Sequence, residues 1–282
     1  MKNLESLTLG HILENGAMDV PDKIALVDGD RRITYRGIND LSGALAGGLA
    51  GLGLESEFIL RNSGARGVII FREWDGYDYL EAISGIRDSL PDLEHVIMVG
   101  KGDGPGVQGF YDLIDEGRGK DVPSPPIEPR KDLAMLIYTS GTTGNPKGAM
   151  ITHYQAVRAG WEYSLGLNAR SDDIFIGVLP MSHSYGCGAV LIQPLLLKST
   201  LVLMEKFEPE KAFELMEREK VTLQSAAPVH YILELNHKNR ANYNLSALRA
   251  GLIAGQVAPE GLITRVEKEM GVYLTSFWGA SE

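Results

Sequence analysis

The residues best suited to chemistry lie in one short stretch, YTSGTTGNPKG, between Tyr138 and Gly148. Glycines within it can turn the backbone and bring N–H groups close to a ligand. Hydroxyl groups and one ammonium group add further donors for an anion, and a bond from such a donor to a charged oxygen contributes about 1.5–3 kcal/mol. The stretch therefore predicts a phosphate site, with a solvated turn between two strands as the alternative. The residues that would contribute are Thr139, Ser140, Gly141, Thr142, Thr143, Gly144 and Lys147.

This loop differs from the phosphate loop of P-loop ATPases. That motif requires G-x-x-x-x-G-K-[ST] at the start of a helix. Here Pro146 precedes Lys147, and the AMITH that follows Gly148 is typical of an extended strand. We therefore expect no helix dipole to face the phosphates.

The elements that must position the loop alternate between short apolar runs and amphipathic stretches, as in α/β proteins. We expect an α/β fold of sheets flanked by helices, with the ligand at the strand ends. Strands are predicted at residues 24–27, 31–35, 65–71, 95–100, 133–139, 148–153, 174–180, 200–204, 221–227, 249–255 and 272–279. Helices are predicted at residues 41–49, 154–165, 186–197, 208–220 and 259–270, with Phe213, Leu215 and Met216 on the apolar side of one of them.

A proline-rich stretch, VPSPPIEPRKD at residues 122–132, divides the chain. Its prolines prevent any regular element. We therefore predict a linker there, between a loosely organised part at residues 1–121 and a dense α/β part at residues 133–282.

Composition and charge exclude several functions. A net charge of −10 and a pI near 5.2 argue against a general binder of nucleic acids or anionic membranes, which needs an extended basic face. Cys187 is the only cysteine, which excludes an internal disulfide and favours a reducing compartment. We expect this thiol to act as a small hydrophobe. The N-terminus has no apolar run of the secretory type, and no run is long enough to span a bilayer, so we expect a cytoplasmic protein.

Four motifs, in this order along residues 131–282, resemble those of the adenylate-forming superfamily. This superfamily includes acyl-CoA synthetases, luciferases and peptide-synthetase adenylation domains. The motifs are TSGTTGNPKG (139–148), LPMSHSYG (179–186), LIAGQVAPE (252–260) and WGASE (278–282). The last has Trp278 for the usual Tyr and Ser281 for the usual Thr. The resemblance implies the fold of the large N-terminal domain of acyl-CoA synthetases.

The resemblance also implies an activity. A carboxylate attacks the α-phosphorus of ATP, giving an acyl-adenylate and pyrophosphate, and the acyl group then passes to a thiol, usually that of coenzyme A. By position in the motifs, the loop at 139–147 would hold the β- and γ-phosphates, with Lys147 as a catalytic cation. Glu282 would be catalytic as the ligand of Mg²⁺, which prefers carboxylate oxygen.

Further roles follow from the same motifs. Ser281 would lie near the α-phosphate, while Gly255, Gln256 and Val257 would line the adenine. Trp278 and the adjacent Gly279 would lie close to the adenine or the acyl pocket, although a core aromatic at a strand end is the alternative for Trp278.

His183 matches the residue that borders the reacting carboxylate in acyl- and aryl-CoA synthetases, and Tyr185 and Gly186 would continue that wall. A lone histidine beside apolar strands is more often a packed or surface residue than a catalyst. No acidic residue lies between Phe175 and Met204, which disfavours an amino-acid substrate. The expected substrate is a fatty or aryl acid.

Two departures from the family pattern keep alternatives open. The family continues beyond the position of Glu282 with a ribose-binding Asp, a hinge and a small C-terminal domain. Its first subdomain is also longer than residues 1–121. We therefore expect the N-terminal part of a carboxylic acid–CoA ligase, with an incomplete first subdomain and an ATP- and acyl-binding subdomain at 133–282. An ATP-binding module without turnover and an unrelated Thr/Gly-loop ATPase remain alternatives. Exposed edge strands would favour a homo-oligomer.

Overall fold

The computed structural model describes residues 4–44, 56–74, 76–102, 104–118, 120, 126–139 and 146–281. The strands are β1 (Ile24–Asp28), β2 (Arg31–Thr34), β3 (Gly67–Ile70), β4 (Glu73–Trp74), β5 (Tyr77–Asp78), β6 (His95–Met98), β7 (Val107–Gly109), β8 (Leu133–Thr139), β9 (Lys147–Thr152), β10 (Ile174–Gly177), β11 (Thr200–Leu203), β12 (Leu223–Ala226), β13 (Ala250–Ile253) and β14 (Tyr273–Ser276). The helices are α1 (Leu9–Asp19), α2 (Tyr35–Ala44), α3 (Ser56–Ser63), α4 (Tyr79–Ile86), α5 (Phe110–Gly117), α6 (His153–Leu167), α7 (Ser184–Gly186), α8 (Gln193–Leu197), α9 (Pro209–Glu219), α10 (Pro228–Leu235) and α11 (Leu262–Met270). A π-helical segment, Cys187–Ile192, joins α7 to α8, and short 3₁₀ turns occur at Leu4–Ser6, Arg87–Ser89 and Arg240–Asn242.

The described residues form two compact units. The first contains the described residues of 4–38, 127–135 and 151–281, and the second those within 39–126 and 136–150. The sequence boundary at residues 122–132 stays a prediction; within it, residues 126–132 form neither helix nor strand.

The first unit is built on a seven-stranded sheet with the order β14-β13-β12-β10-β11-β1-β2. All its strand pairs are parallel except β1–β2. Because parallel neighbours need crossover connections, a helix lies between each successive pair of strands from β10 to β14. The predicted α/β fold is thus confirmed.

Successive residues of a strand point to opposite faces of the sheet. In this sheet, helices cover both faces. Phe175 and Leu252 pack with residues of α6 and the π-helical segment. Their neighbours Ile176 and Ile253 pack with residues of α9, α10 and α11. The predicted apolar side of α9 is also confirmed, since Phe213, Leu215 and Met216 are all buried.

Local sequence explains where α6 begins and ends. The Thr152 side chain accepts a hydrogen bond from the Gln155 N–H, and the Gln155 side chain accepts one from the Thr152 N–H. This capping box satisfies two donors that the helix start would otherwise leave unpaired. Asn168, in the left-handed conformation at φ 46°, ends the helix.

The second unit contains a parallel three-stranded sheet with the order β3-β6-β7. Its core includes Val68 and Ile70 of β3, Val96 of β6, Leu60 of α3 and Ile83 of α4.

Every predicted strand occurs, with ends that differ from the predicted ones by at most three residues. Strand β9 begins at Lys147, so a strand rather than a helix follows the loop, as predicted. The helix predicted at 41–49 corresponds to α2, and its last residues, 45–49, lie outside the described residues. The sequence analysis missed the helices α1, α3, α4, α5 and α10 and the short strands β4, β5 and β7. All of these except α10 lie in residues 1–121, so the front of the chain is more regular than predicted.

A partly buried ion pair joins the amino ends of three strands. Asp173, 3% exposed, precedes β10 and accepts hydrogen bonds from the Arg249 guanidinium at 2.6 and 3.1 Å. It also accepts one from the Thr222 hydroxyl at 2.7 Å. Arg249 in addition donates to the carbonyls of Leu167 and Asn168 at the end of α6. Both oxygens of the buried carboxylate therefore accept hydrogen bonds, as a buried charge requires.

A second polar pair lies inside the core between β12 and α10. The Gln224 amide donates to Glu234 Oε1 at 2.7 Å, and both side chains are completely buried. Among the described residues, Glu234 Oε2 and Gln224 Oε1 have no hydrogen-bond partner. Burial raises the pKa of the Glu234 carboxyl to about 8, against the smaller lowering effect of the Gln224 hydrogen bond. Glu234 is therefore protonated at neutral pH.

None of the helices in the described part of the chain has the length and apolar character needed to cross a membrane.

Candidate functional site

The carboxyl ends of four neighbouring parallel strands carry most of the predicted site residues in the first unit. His183 follows β10, Gly255 follows β13, and Ser281 follows β14, while β12 lies between β10 and β13. Because these strands are parallel, the residues after them meet at one edge of the sheet, where ligands of open α/β sheets bind.

His183 caps the helix that leads away from β10. Its Nδ1 accepts a hydrogen bond from the Tyr185 N–H at 3.2 Å. An imidazole whose Nδ1 accepts carries its proton on Nε2 when neutral. The side chain is exposed, so Nε2–H is left as a donor for a ligand atom such as a carboxylate oxygen.

The turn before His183 is held by close backbone packing. The Pro180 carbonyl accepts a hydrogen bond from the His183 N–H at 3.2 Å. A Cβ placed on Gly186 would lie 2.0 Å from the same carbonyl oxygen. Only glycine therefore lets this turn and the start of α7 approach so closely, and that approach fixes His183.

Tyr185 faces inward rather than toward solvent. It is 8% exposed, and its hydroxyl donates to the Ala226 carbonyl of β12 at 3.4 Å. Burial raises the pKa of this phenol well above its usual range. Its ring lies edge-on to Tyr163, which in turn lies edge-on to Phe277, with centroids 6.0 and 4.8 Å apart. Tyr185 is therefore part of a cluster of three aromatic rings and is not suited to act as an acid or base, and its predicted place beside the substrate stays a prediction.

The segments predicted to meet the nucleotide are open to solvent. Gly255 has φ +87°, a conformation that L side chains rarely adopt, and lies against the Tyr185 ring. Gln256 is exposed, as is Gly279, and Val257 and Trp278 are 94% and 90% exposed. Trp278 is therefore not a core aromatic. An apolar side chain this exposed is suited to stacking on a flat ligand.

Ser281 is connected to the start of α7. Its hydroxyl lies 3.0 Å from that of Ser184, 97 residues away in sequence. Both side chains are half-buried.

The remaining predicted phosphate ligands lie in the second unit, at the end of the two-stranded sheet β8–β9. The Thr139 hydroxyl is 3.5 Å from the Lys147 carbonyl, and the Lys147 side chain is exposed. An ammonium group and a hydroxyl are donors that suit a polyphosphate. Ser140, Gly141, Thr142, Thr143 and Gly144 lie outside the described residues, and so does Glu282.

The described side chains do not test the predicted metal site, and they place the thiol in a partly buried position. Within the described ranges, no three His, Cys, Asp or Glu side chains are grouped so that they could hold a metal ion. The assignment of Mg²⁺ to Glu282 thus stays a prediction. Cys187 is half-buried, 3.8 Å from the Met135 sulfur, and burial raises the pKa of its thiol, as expected for a small hydrophobe.

Sequence reasoning did not single out Ser184, Tyr163 or Phe277. The two aromatics come from different elements, and no spacing along the chain could reveal their contact. Ser184 lies inside a quoted motif, but serine is too common for its type alone to suggest a role.

Several proteins similar in sequence to this chain are CoA ligases. The chain is 34% identical over 62% of its length to a long-chain-fatty-acid–CoA ligase of Bacillus subtilis. It is 31% identical over 60% of its length to a 4-chlorobenzoate–CoA ligase of a Pseudomonas species. The match spans 32% of each of these relatives.

Among solved structures, the anthranilate CoA ligase AuaEII in complex with anthranoyl-AMP has a similar fold. It aligns with a TM-score of 0.84 and 26% identity, over 98% of this chain and 60% of that chain. The sequence profile described as AMP-binding enzyme matches residues 55–282, which is most of the chain. The chain therefore belongs to the AMP-binding enzyme family.

Proposed function

We propose that this chain is part of a carboxylic acid–CoA ligase that forms an acyl-adenylate from ATP and a fatty or aryl acid, then transfers the acyl group to CoA. The observation that carries the proposal is the orientation of His183. Its Nδ1 accepts from the Tyr185 N–H, which leaves Nε2–H of the exposed ring available to a ligand, on the turn whose next residue contacts Ser281. A hydrogen-bond donor for a carboxylate and another for a phosphate, on connected segments, suit adenylation.

Each residue would act by binding and orientation. His183 Nε2–H would donate to one oxygen of the acid and leave the other free to attack the α-phosphorus. Ser281 would donate to an α-phosphate oxygen. Thr139 and Lys147 would bind the β- and γ-phosphates, which leave as pyrophosphate. Gly255, Gln256, Val257 and Trp278 would contact the adenine. Mg²⁺, when bound through Glu282, would neutralise phosphate charge.

The deciding experiment is carboxylate-dependent ATP–pyrophosphate exchange on this chain, with short, long and aromatic acids compared. Exchange with one acid class would support the proposal and identify the substrate. ATP binding without exchange for any acid would favour the ATP-binding module instead. Release of inorganic phosphate without any acid would favour an unrelated ATPase.

The cellular setting is part of the same proposal. The single cysteine suits a reducing, cytoplasmic location. Exposed edge strands of the first subdomain would favour self-association into a homo-oligomer, which light scattering would detect.

Replacing Lys147 is expected to weaken ATP binding without affecting AMP. Lys147→Ala removes the cation proposed to contact the β- and γ-phosphates, which AMP lacks. We expect about a tenfold rise in the Kd for ATP by calorimetry, since a charged hydrogen bond is worth 1.5–3 kcal/mol. Lys101→Ala, which removes an exposed lysine of the same unit, is the matched control. Equal affinity of Lys147→Ala and wild type for ATP would contradict the assignment.

Replacing His183 can separate helix capping from substrate binding. Asparagine is a good N-cap residue, so His183→Asn keeps the cap of α7 but shortens the donor. We expect the KM for the acid in the exchange reaction to rise about tenfold, with the KM for ATP unchanged. His183→Ala should lose both roles and also lower the melting temperature. A wild-type KM for the acid in His183→Asn would exclude His183 as a carboxylate ligand.

A further inference from the structure

We propose that Ser184 is a positioning residue that orients the Ser281 hydroxyl. Residues 183 and 184 would together determine the distance between the acid and the α-phosphate of the nucleotide. The inference rests on the proposed function, because it concerns the same adenylation site. It goes beyond that function by assigning a role to a residue with no place among the predicted ligands.

Ser184 is held in a rigid turn. The Cys187 N–H donates to the Ser184 carbonyl and, at 2.8 Å, to the His183 carbonyl. The close packing of Gly186 on the Pro180 carbonyl restrains the same turn from its other end. These backbone contacts therefore fix the main chain and Cβ of Ser184, from which its hydroxyl reaches Ser281.

Ser281 lies in a much less supported segment. After the Phe277 N–H, which donates to the Ile253 carbonyl at 3.0 Å, the chain runs without helix or strand through residues 278–281. Among hydrogen bonds between described residues, the contact with Ser184 is the one that a side chain of this segment makes. Ser184 thus orients Ser281, rather than the reverse.

The chemistry sets the direction of the hydrogen bond. A phosphate oxygen can only accept, so Ser281 must donate its single proton to it. Toward Ser184, Ser281 must then accept, and Ser184 O–H is the donor. Without Ser184, the Ser281 hydroxyl could rotate away or exchange its partner for water.

The arrangement also joins the two reactants. His183 would hold the acid, and the neighbouring Ser184 would hold the group that contacts the α-phosphate. In-line attack requires the carboxylate oxygen within about 3–3.5 Å of the phosphorus. Because both contacts begin at adjacent residues of one rigid turn, the distance between the reactants is fixed by backbone geometry.

The test is a double-mutant cycle read by AMP binding. AMP carries the α-phosphate alone, so any effect excludes the contacts proposed for Lys147. We expect Ser184→Ala and Ser281→Ala each to raise the Kd for AMP about fivefold, and the double variant to be no weaker than either single variant. Ser184→Thr, which keeps the hydroxyl, should restore most of the affinity. Ser182→Ala, an exposed serine of the same turn, is the control.

Melting temperatures separate positioning from folding. The two alanine variants should melt within a few degrees of wild type, whereas a purely structural role would lower stability and leave the affinity of the folded fraction unchanged. Wild-type AMP affinity in Ser184→Ala, or additive losses in the double variant, would overturn the inference while the proposed function stands. If the wild-type chain bound neither AMP nor ATP, both the inference and the proposed function would be contradicted.

Discussion

The variant Glu234→Gln is expected to raise the free energy of unfolding by on the order of 4 kcal/mol at pH 9 and to leave it nearly unchanged at pH 5. The Glu234 pKa is about 8 in the folded chain, against 4.5 for an exposed carboxyl. Between these values the folded chain keeps a proton that the unfolded chain has lost. Wild-type stability from this group therefore falls as pH rises from about 4.5, and the loss is complete above pH 8.

The hydrogen bonds explain why glutamine should be tolerated. In the ionised pair, both unpaired atoms, Glu234 Oε2 and Gln224 Oε1, are acceptors. A proton on Glu234, or an amide in its place, turns one of these acceptors into a donor. Glutamine keeps that donor at every pH.

Urea unfolding at pH 5, 7 and 9, followed by circular dichroism, measures the effect. Glu267→Gln, which neutralises an exposed carboxylate on α11, is the matched control and should follow the wild-type pH dependence. Parallel curves for wild type and Glu234→Gln would show that the buried carboxyl does not titrate as argued.

The variant Gly186→Ala is expected to lose about 3 kcal/mol of stability, although alanine is intrinsically the better helix former. Gly186 has ordinary helical angles, φ −64° and ψ −43°, so its backbone conformation is not strained. The cost arises because a Cβ would overlap the Pro180 carbonyl at 2.0 Å. The turn can accept the methyl group only by moving away, which also shifts His183 and Ser184.

Thermal and urea unfolding report the stability loss, and exchange kinetics report the shifted turn. Gly166→Ala in α6 is the control, because its Cβ would make only ordinary contacts, 3.4 Å from the Thr275 methyl group. That variant should stay within about 1 kcal/mol of wild type. If Gly186→Ala were as stable as Gly166→Ala, Gly186 could not be packed as closely on the Pro180 carbonyl as described.

Much of the fold could be predicted because its strands are short apolar runs separated by turns and amphipathic helices. What could not be predicted is the pairing of distant segments. Nothing in the pattern of IALV indicates that β1 pairs with β11, where Leu26 is opposite Leu201. Because of this pairing, the first residues of the chain pack with its second half. Helices α4 and α5, of eight residues each, are too short for a clear period.

For the candidate site too, positions along the chain could be predicted, whereas contacts between distant segments could not. The sequence analysis placed His183 and Ser281 after predicted strands and Gly255 at the end of one, and the structure shows all three after parallel strands at one edge of the sheet. The inward direction of Tyr185 and the contact of Ser184 with Ser281 depend on how helix and sheet pack. No single sequence pattern encodes that packing.

The ion pair between Asp173 and Arg249 lies at the opposite end of the sheet from the candidate site. It joins residues that precede β10, β12 and β13, each of four residues, so about 13 Å of strand separates it from the ligand edge. The charges that align the strands are therefore not those that would meet the substrate. Over evolution, or in loop grafting, ligand-contacting side chains at the carboxyl edge can be exchanged for others without disturbing this ion pair, so this architecture can acquire new ligand specificities at low structural cost.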